Sequence, residues 1–306
     1  MRLDETAKGV FTIAATPFRP DGALDRESLV RMTEFYLERG ATGLTILGIM
    51  GEAGKLTPGE SREVIEIIVG RADVPVVVGV SAPGLAAIEA LSKTAMDAGA
   101  AGVMVAPAGG LKTDAEIAGY FLTVADRLGD IPWVLQDFPL VTGVKIDPQV
   151  ILKIVADAPN CVMLKHEDWP GLEKIAALRH ASGRGARRIS ILCGNGGQFL
   201  VEEMIRGADG AMTGFAYPEM MRDVVAAMAA GDEARARDHF DAYLPLVRLE
   251  CQPGLGLAVR KYILARRGAI AHDTVRAPGP KLTGAAIAEI ETVIARQEAR
   301  LAQIGS

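Results

Sequence analysis

The chain has 306 residues, 49% of them hydrophobic and 23% charged, which excludes a disordered polymer and supplies apolar surface for a sizeable core. Acidic residues outnumber basic ones 38 to 33 for a net charge of −5, and no basic cluster appears, which makes nucleic acid and anionic membranes poor partners. Three scattered cysteines (Cys161, Cys193 and Cys251) are too few for a disulfide framework or a zinc site and fit a reducing compartment. The opening MRLDETAKGVF has no apolar signal core, and no charge-free apolar stretch reaches the ~18 residues of a membrane span. A cytoplasmic location is therefore expected.

Eight short apolar runs follow in order: Val10–Ala15, Gly43–Gly48, Val74–Val80, Gly102–Pro107, Trp133–Phe138, Val162–Glu167, Ile189–Asn195 and Ala211–Phe215. Several are continuous and β-branched, as strands covered on both faces read. Amphipathic segments separate them. Thr57-Pro58-Gly59-Glu60 combines an N-cap hydroxyl, an N1 proline and an N3 glutamate, a capping box. Thr113-Asp114-Ala115-Glu116 repeats the box, and Asp147-Pro148 opens another helix. Ala-Gly dipeptides at Gly40-Ala41, Gly99–Gly102 and Gly207–Gly210 suit helix stops before the next strand. Eight β/α units predict a (β/α)8 TIM barrel, with an open doubly wound sheet as the alternative. No G-x-G-x-x-G opens a helix after the first strand. Beyond Phe215 the pattern is helical at Glu219–Ala230, Glu233–Leu249, Gly254–Arg267 and Thr283–Leu301. This predicts a barrel over residues 1–220 and C-terminal helices over 221–306 that complete and extend it as one structural unit, packed on the barrel or on a neighbouring subunit.

Function in such a barrel sits at the C-terminal ends of the strands. Lys165 ends the sixth run. A lysine in the barrel mouth is partly desolvated, which favours a neutral amine able to attack a ketone. The alternative is a lysine that binds an anion or reaches solvent. Glu167 shares its face by strand alternation and could move protons or simply hold an ion pair. His166 points the other way, toward the helices. Gly48-Ile49-Met50-Gly51-Glu52 ends the second run, and its backbone amides suit a carboxylate. Gln136-Asp137-Phe138-Pro139 ends the fifth run, and Gly194-Asn195 the seventh, where glycine admits a close ligand. Met212, Thr213 and Tyr217 end the eighth, with Tyr217 the candidate mouth hydroxyl. Each segment alone reads first as a simple turn.

Taken together, these segments resemble the dihydrodipicolinate synthase / N-acetylneuraminate lyase superfamily. The matching order is Ala15-Thr16-Pro17-Phe18, then Gly48-x-x-Gly51-Glu52 with Leu56-Thr57-x-x-Glu60, then Pro139, Lys165, Gly194-Asn195 and Gly210–Gly214. The resemblance implies a barrel with extra C-terminal helices, a homo-oligomer (dimer or, usually, tetramer) and a Schiff base on Lys165, with no metal or organic cofactor. With Lys165 so marked, the strand ends give a candidate site of catalytic Lys165 and Glu167 and substrate-binding Ile49, Met50, Gln136, Gly194, Asn195, Met212, Thr213 and Tyr217.

The departures carry as much information. Ile49-Met50 replaces the family's hydroxyl pair, Gln136 its tyrosine and Asp137 its asparagine. Ala106-Pro107-Ala108-Gly109 stands for Thr-Pro-Tyr-Tyr, and Val141 falls where the synthase has arginine. The tyrosine–threonine proton relay is thus absent, which argues against lysine biosynthesis. Aldol cleavage needs a base on the C4 hydroxyl, the role of the missing tyrosine. Dehydration needs a base at C3 and an acid at the C4 hydroxyl; Glu167 could supply one of these roles, and Gln136 could hold a hydroxyl without moving a proton. Gln136-Asp137-x-Pro139, Lys165-x-Glu167, Gly210–Gly214 with Tyr217-Pro218, and Leu244-Pro245-Leu246 are similar to the L-2-keto-3-deoxyarabonate dehydratase branch. The expectation is a dehydratase of a 2-keto-3-deoxy sugar acid in carbohydrate catabolism. The alternatives are a class I aldolase cleaving or forming a 2-oxo acid with pyruvate, and a non-catalytic metabolite-binding barrel.

Overall fold

The eight apolar runs form one closed parallel barrel in a computed structural model that describes residues 1–169 and 171–305. The strands are β1 (Gly9–Ile13), β2 (Gly43–Ile46), β3 (Val76–Gly79), β4 (Gly102–Val105), β5 (Trp133–Asp137), β6 (Cys161–His166), β7 (Ser190–Cys193) and β8 (Gly210–Thr213). Closure is made by β8 pairing with β1, Phe11 against Met212. Alternation explains why the runs are apolar throughout. Phe11, Ile13, Val77, Met104, Val134, Met163, Leu192 and Met212 fill the barrel interior. Their neighbours Val10, Val76, Val78, Val103, Leu135, Leu164 and Ile191 pack outward against the helices.

The strands stop one to two residues short of several apolar runs. After β2, Leu47 adopts a left-handed backbone (φ 53°) and Ile49–Gly51 forms a 3-10 turn, so apolar composition continues where the ladder has ended.

Helices α1 (Arg26–Glu38), α2 (Pro58–Arg71), α3 (Leu85–Asp97) and α4 (Asp114–Leu128) follow the first four strands. Both expected capping boxes are formed, at Thr57/Glu60 and Thr113/Glu116. A short α5 (Pro139–Thr142), unforeseen in the sequence, precedes α6 (Pro148–Asp157), which Asp147 caps. Then come α7 (Leu172–Gly183), α8 (Leu200–Ile205) and α9 (Pro218–Ala229). The loops into β2 and β8 turn at Gly40 (φ 87°) and Gly207 (φ 95°), a conformation that costs side-chain-bearing residues.

Because α9 is the barrel's eighth helix, a division at 220/221 runs through it; the extension proper is α10 (Glu233–Glu250), α11 (Gly256–Arg266) and α12 (Gly284–Ile304). It packs on its own barrel. A buried Glu250–Arg260 ion pair is built into this seam. Glu250 accepts from the Ala216 N–H at 3.0 Å, and Arg260 donates to the Gly214 carbonyl, both just beyond β8. Among the described residues no helix is long and apolar enough to cross a membrane.

Behind β7, burial pushes the Glu203 carboxyl up to about 8 from an ordinary 4.5, beside the fully buried Cys193 thiol. Below pH 4.5 this group is protonated folded or unfolded and costs nothing. Above it the unfolded chain ionises first, so the folded state loses stability as pH rises toward 8. Glu203→Gln removes that loss: between pH 5 and pH 8 its urea midpoint is expected to fall less than that of the native protein, by more than ~1 kcal/mol in derived stability. Parallel pH dependence in the two proteins would refute the assignment.

Candidate active site

Strand register places Gln136 directly opposite Lys165, on β5 and β6. Both face inward, in phase with Val134 and Met163 of the barrel interior. Glu167 follows β6 by one residue, and its N–H donates to the Asp137 carbonyl at 2.9 Å, which continues the ladder far enough to keep its side chain in phase with Lys165. The three side chains meet at one atom. Glu167 Oε2 lies 2.8 Å from Lys165 Nζ and accepts from Gln136 Nε2 at 2.7 Å. Lys165 is 3% exposed, and Gln136 and Glu167 are 5% each. A carboxylate so desolvated is tolerated because each close partner is a donor.

The β7 end completes the support. Asn195 Nδ2 donates to the Glu167 carbonyl at 2.9 Å, and the Gly194 N–H donates to the His166 carbonyl at 2.8 Å. A methyl group on Gly194 would overlap Glu167 Cγ, so the glycine here makes room for the carboxylate rather than for a ligand alone. Thr213 Oγ1 accepts from the Gly196 N–H at 2.8 Å, tying the end of β8 to the turn that carries Asn195. Met212 is fully buried in the interior beneath them. Gly194→Ala is therefore expected to displace Glu167 and lower kcat by ~10-fold or more, read by steady-state kinetics with a folding check by circular dichroism. Native kcat in that variant would show that the carboxylate position is not critical.

The turn after β2 lies across the mouth. Ile49 is 53% exposed and lines a cavity of about 560 Å3, whereas Met50 packs onto the interior cluster. The turn is anchored by Thr16 Oγ1 donating to the Gly51 carbonyl at 2.5 Å. Glu52, held in a left-handed conformation, binds Lys261 of α11, Lys55 at 2.8 Å and the Arg276 N–H at 3.0 Å. Gln136 lines the same cavity and hydrogen-bonds Glu167, whereas Lys165 and Glu167 themselves are not among the residues that line it.

Tyr217 does not join this group. Its ring packs with Phe215 and Tyr243 outside the barrel, with the Arg267 guanidinium 4.0 Å above it. Burial raises its phenol above the ordinary value, consistent with that setting. The chain has left β8 four residues earlier, so strand parity no longer directs the side chain toward the mouth.

Sequence reasoning also missed a buried cluster on the reverse face of β5 and β6. Asp137 is fully buried and pairs with Lys174 of α7 at 2.6 Å. Lys174 also reaches Asp168 at 2.8 Å, and the His166 ring approaches Asp137 at 3.7 Å. Parity was the available signal: Asp137 and His166 are the outward neighbours of Gln136 and Lys165. Nothing local marked Lys174 as their partner.

A barrel that holds a buried lysine and carboxylate together at the end of its sixth strand has the architecture of a lysine-dependent lyase. The chain matches the model of the Dihydrodipicolinate synthetase family over residues 6–297. A crystal structure of dihydrodipicolinate synthase from Rhodopseudomonas palustris is similar at a TM-score of 0.95 and 51% identity, covering 97% of this chain and 99% of that one. The 4-hydroxy-tetrahydrodipicolinate synthase of Methanothrix thermoacetophila is 30% identical over 252 residues, 80% of this chain and 83% of the relative. The L-2-keto-3-deoxyarabonate dehydratase of Azospirillum brasilense is 28% identical over 297 residues, 94% of each chain. The chain belongs to the dihydrodipicolinate synthetase family of Schiff-base lyases.

Proposed function

We propose that the protein dehydrates a 4-hydroxy-2-oxo acid of the 2-keto-3-deoxy acid type, through a Schiff base on Lys165 and proton transfer by Glu167. The observation that carries this reading is the single oxygen, Glu167 Oε2, shared by Lys165 Nζ and by Gln136 where a tyrosine would otherwise stand. Lys165 attacks C2 of the substrate; the carbonyl oxygen leaves as water and an iminium remains. The iminium acidifies C3. Glu167 takes a C3 proton, and the enamine then expels the C4 hydroxyl, to which Glu167 returns the proton. One water is lost in this elimination, and hydrolysis of the conjugated iminium frees the lysine. Gln136 holds the carboxylate but carries no transferable proton at neutral pH, so a base for the C4 hydroxyl, which retro-aldol cleavage needs, is lacking at position 136. The substrate carboxylate is assigned to the Ile49 and Met50 amides, which open a 3-10 turn and are unused by the turn itself. The covalent bond to Lys165 takes the place of a cofactor.

L-2-keto-3-deoxyarabonate, the compound in the name of the Azospirillum brasilense relative, is the first substrate to test. Product analysis by mass spectrometry decides the reaction. Loss of water from an intact carbon skeleton is expected. Pyruvate plus an aldehyde would replace dehydration by aldol cleavage.

A further inference from the structure

The cavity beyond Gln136 narrows the substrate, an inference that rests on the Schiff-base reading above. About 560 Å3 lies between the ends of β2, β3, β4 and β5 and the loops that follow them. That is within the ~300–1,000 Å3 range of sites for sizeable organic ligands, and a pentonate arm would leave most of it empty. No Lys, Arg, Asp, Glu or His side chain lines it among the described residues.

Of its four side-chain hydroxyls, those of Tyr120 and Thr142 donate within the protein, Ser81 serves there as an acceptor, and Ser61 is the fourth. Ser81 Oγ accepts from the Ala106 N–H at 2.9 Å, Tyr120 donates to the Ala106 carbonyl at 3.3 Å, and Thr142 donates to the Phe138 carbonyl at 2.9 Å. Ala106-Pro107-Ala108-Gly109 lines one wall with short side chains. At the opening, Ile49 and Val141 are 53% and 57% exposed, two large apolar side chains that a ligand arm would cover.

A phosphate or second carboxylate entering this space gives up water and meets no counter-charge. A polyhydroxyl chain needs roughly as many free partners as it has hydroxyls, and few are free. We infer that the site takes a 2-oxo acid whose remote arm is uncharged and carbon-rich, an alkyl or aryl group larger than hydroxymethyl.

The test is a set of 4-hydroxy-2-oxo acids that differ only at C4, bearing hydroxymethyl, n-propyl, n-pentyl, phenyl, trihydroxypropyl or phosphonooxymethyl arms. Turnover and borohydride trapping at Lys165 are measured for each. The expected result is a kcat/KM that rises by ~4-fold per added methylene until the cavity is full, with the phosphorylated arm at least ~10-fold below hydroxymethyl. Trapping at Lys165 with a preference for hydroxylated or anionic arms would overturn this inference and leave the Schiff-base reading standing. No trapping with any arm or with pyruvate would overturn both. Ala108→Arg places a cation in the cavity wall and is expected to move the kcat/KM ratio at least ~10-fold toward the phosphorylated arm. An unchanged ratio would show that the arm lies elsewhere.

Discussion

Lys165→Arg is expected to lower kcat/KM by at least ~10^4-fold and to abolish borohydride trapping by 2-oxo acids. Arginine keeps a cation beside Glu167, now 2.8 Å from Lys165 Nζ, so the buried carboxylate retains a charged partner and the fold should survive. A guanidinium cannot give up its proton at working pH and cannot condense with a ketone. The variant therefore separates covalent chemistry from ion pairing. Steady-state kinetics and mass spectrometry of the reduced protein check it; turnover within ~10-fold of native would mean that Lys165 only binds the substrate's charge.

Glu167→Gln is expected to cost ~10^2–10^4-fold in kcat with KM changed only a few-fold, while trapping at Lys165 persists. The amide is close to isosteric and can still accept from Gln136 Nε2, which holds the native oxygen at 2.7 Å. What it cannot do is take the C3 proton and deliver it to the departing hydroxyl. A rise in KM at constant kcat would assign Glu167 to binding instead. Pre-formed iminium that accumulates without turnover would be the clearest signature of the lost proton carrier.

The sequence made the barrel legible because its two facts are local: strands covered on both faces read as unbroken apolar runs, and helices announce themselves by caps. Thr57-Pro58-Gly59-Glu60 and Thr113 with Glu116 stand as read. Lys165 and Glu167 were legible for the same reason, since residues two apart on one strand share a face, and the pair does meet. Parity failed at Tyr217, where the strand had already ended. Register across strands was not legible, and it is register that sets Gln136 opposite Lys165. Long-range pairing was invisible too. Lys261 binds Glu52 across 209 residues, and Lys174 binds Asp137 across 37, with no local spacing to announce either. Both contacts brace the mouth from outside, at the turn after β2 and behind β5 and β6.

The most direct measurement is mass spectrometry of the native protein after borohydride reduction in the presence of pyruvate, followed by peptide mapping. One reduced pyruvyl group per chain is expected, located on Lys165 and on neither Lys174 nor Lys261. An unmodified Lys165 at saturating pyruvate would contradict the Schiff-base reading.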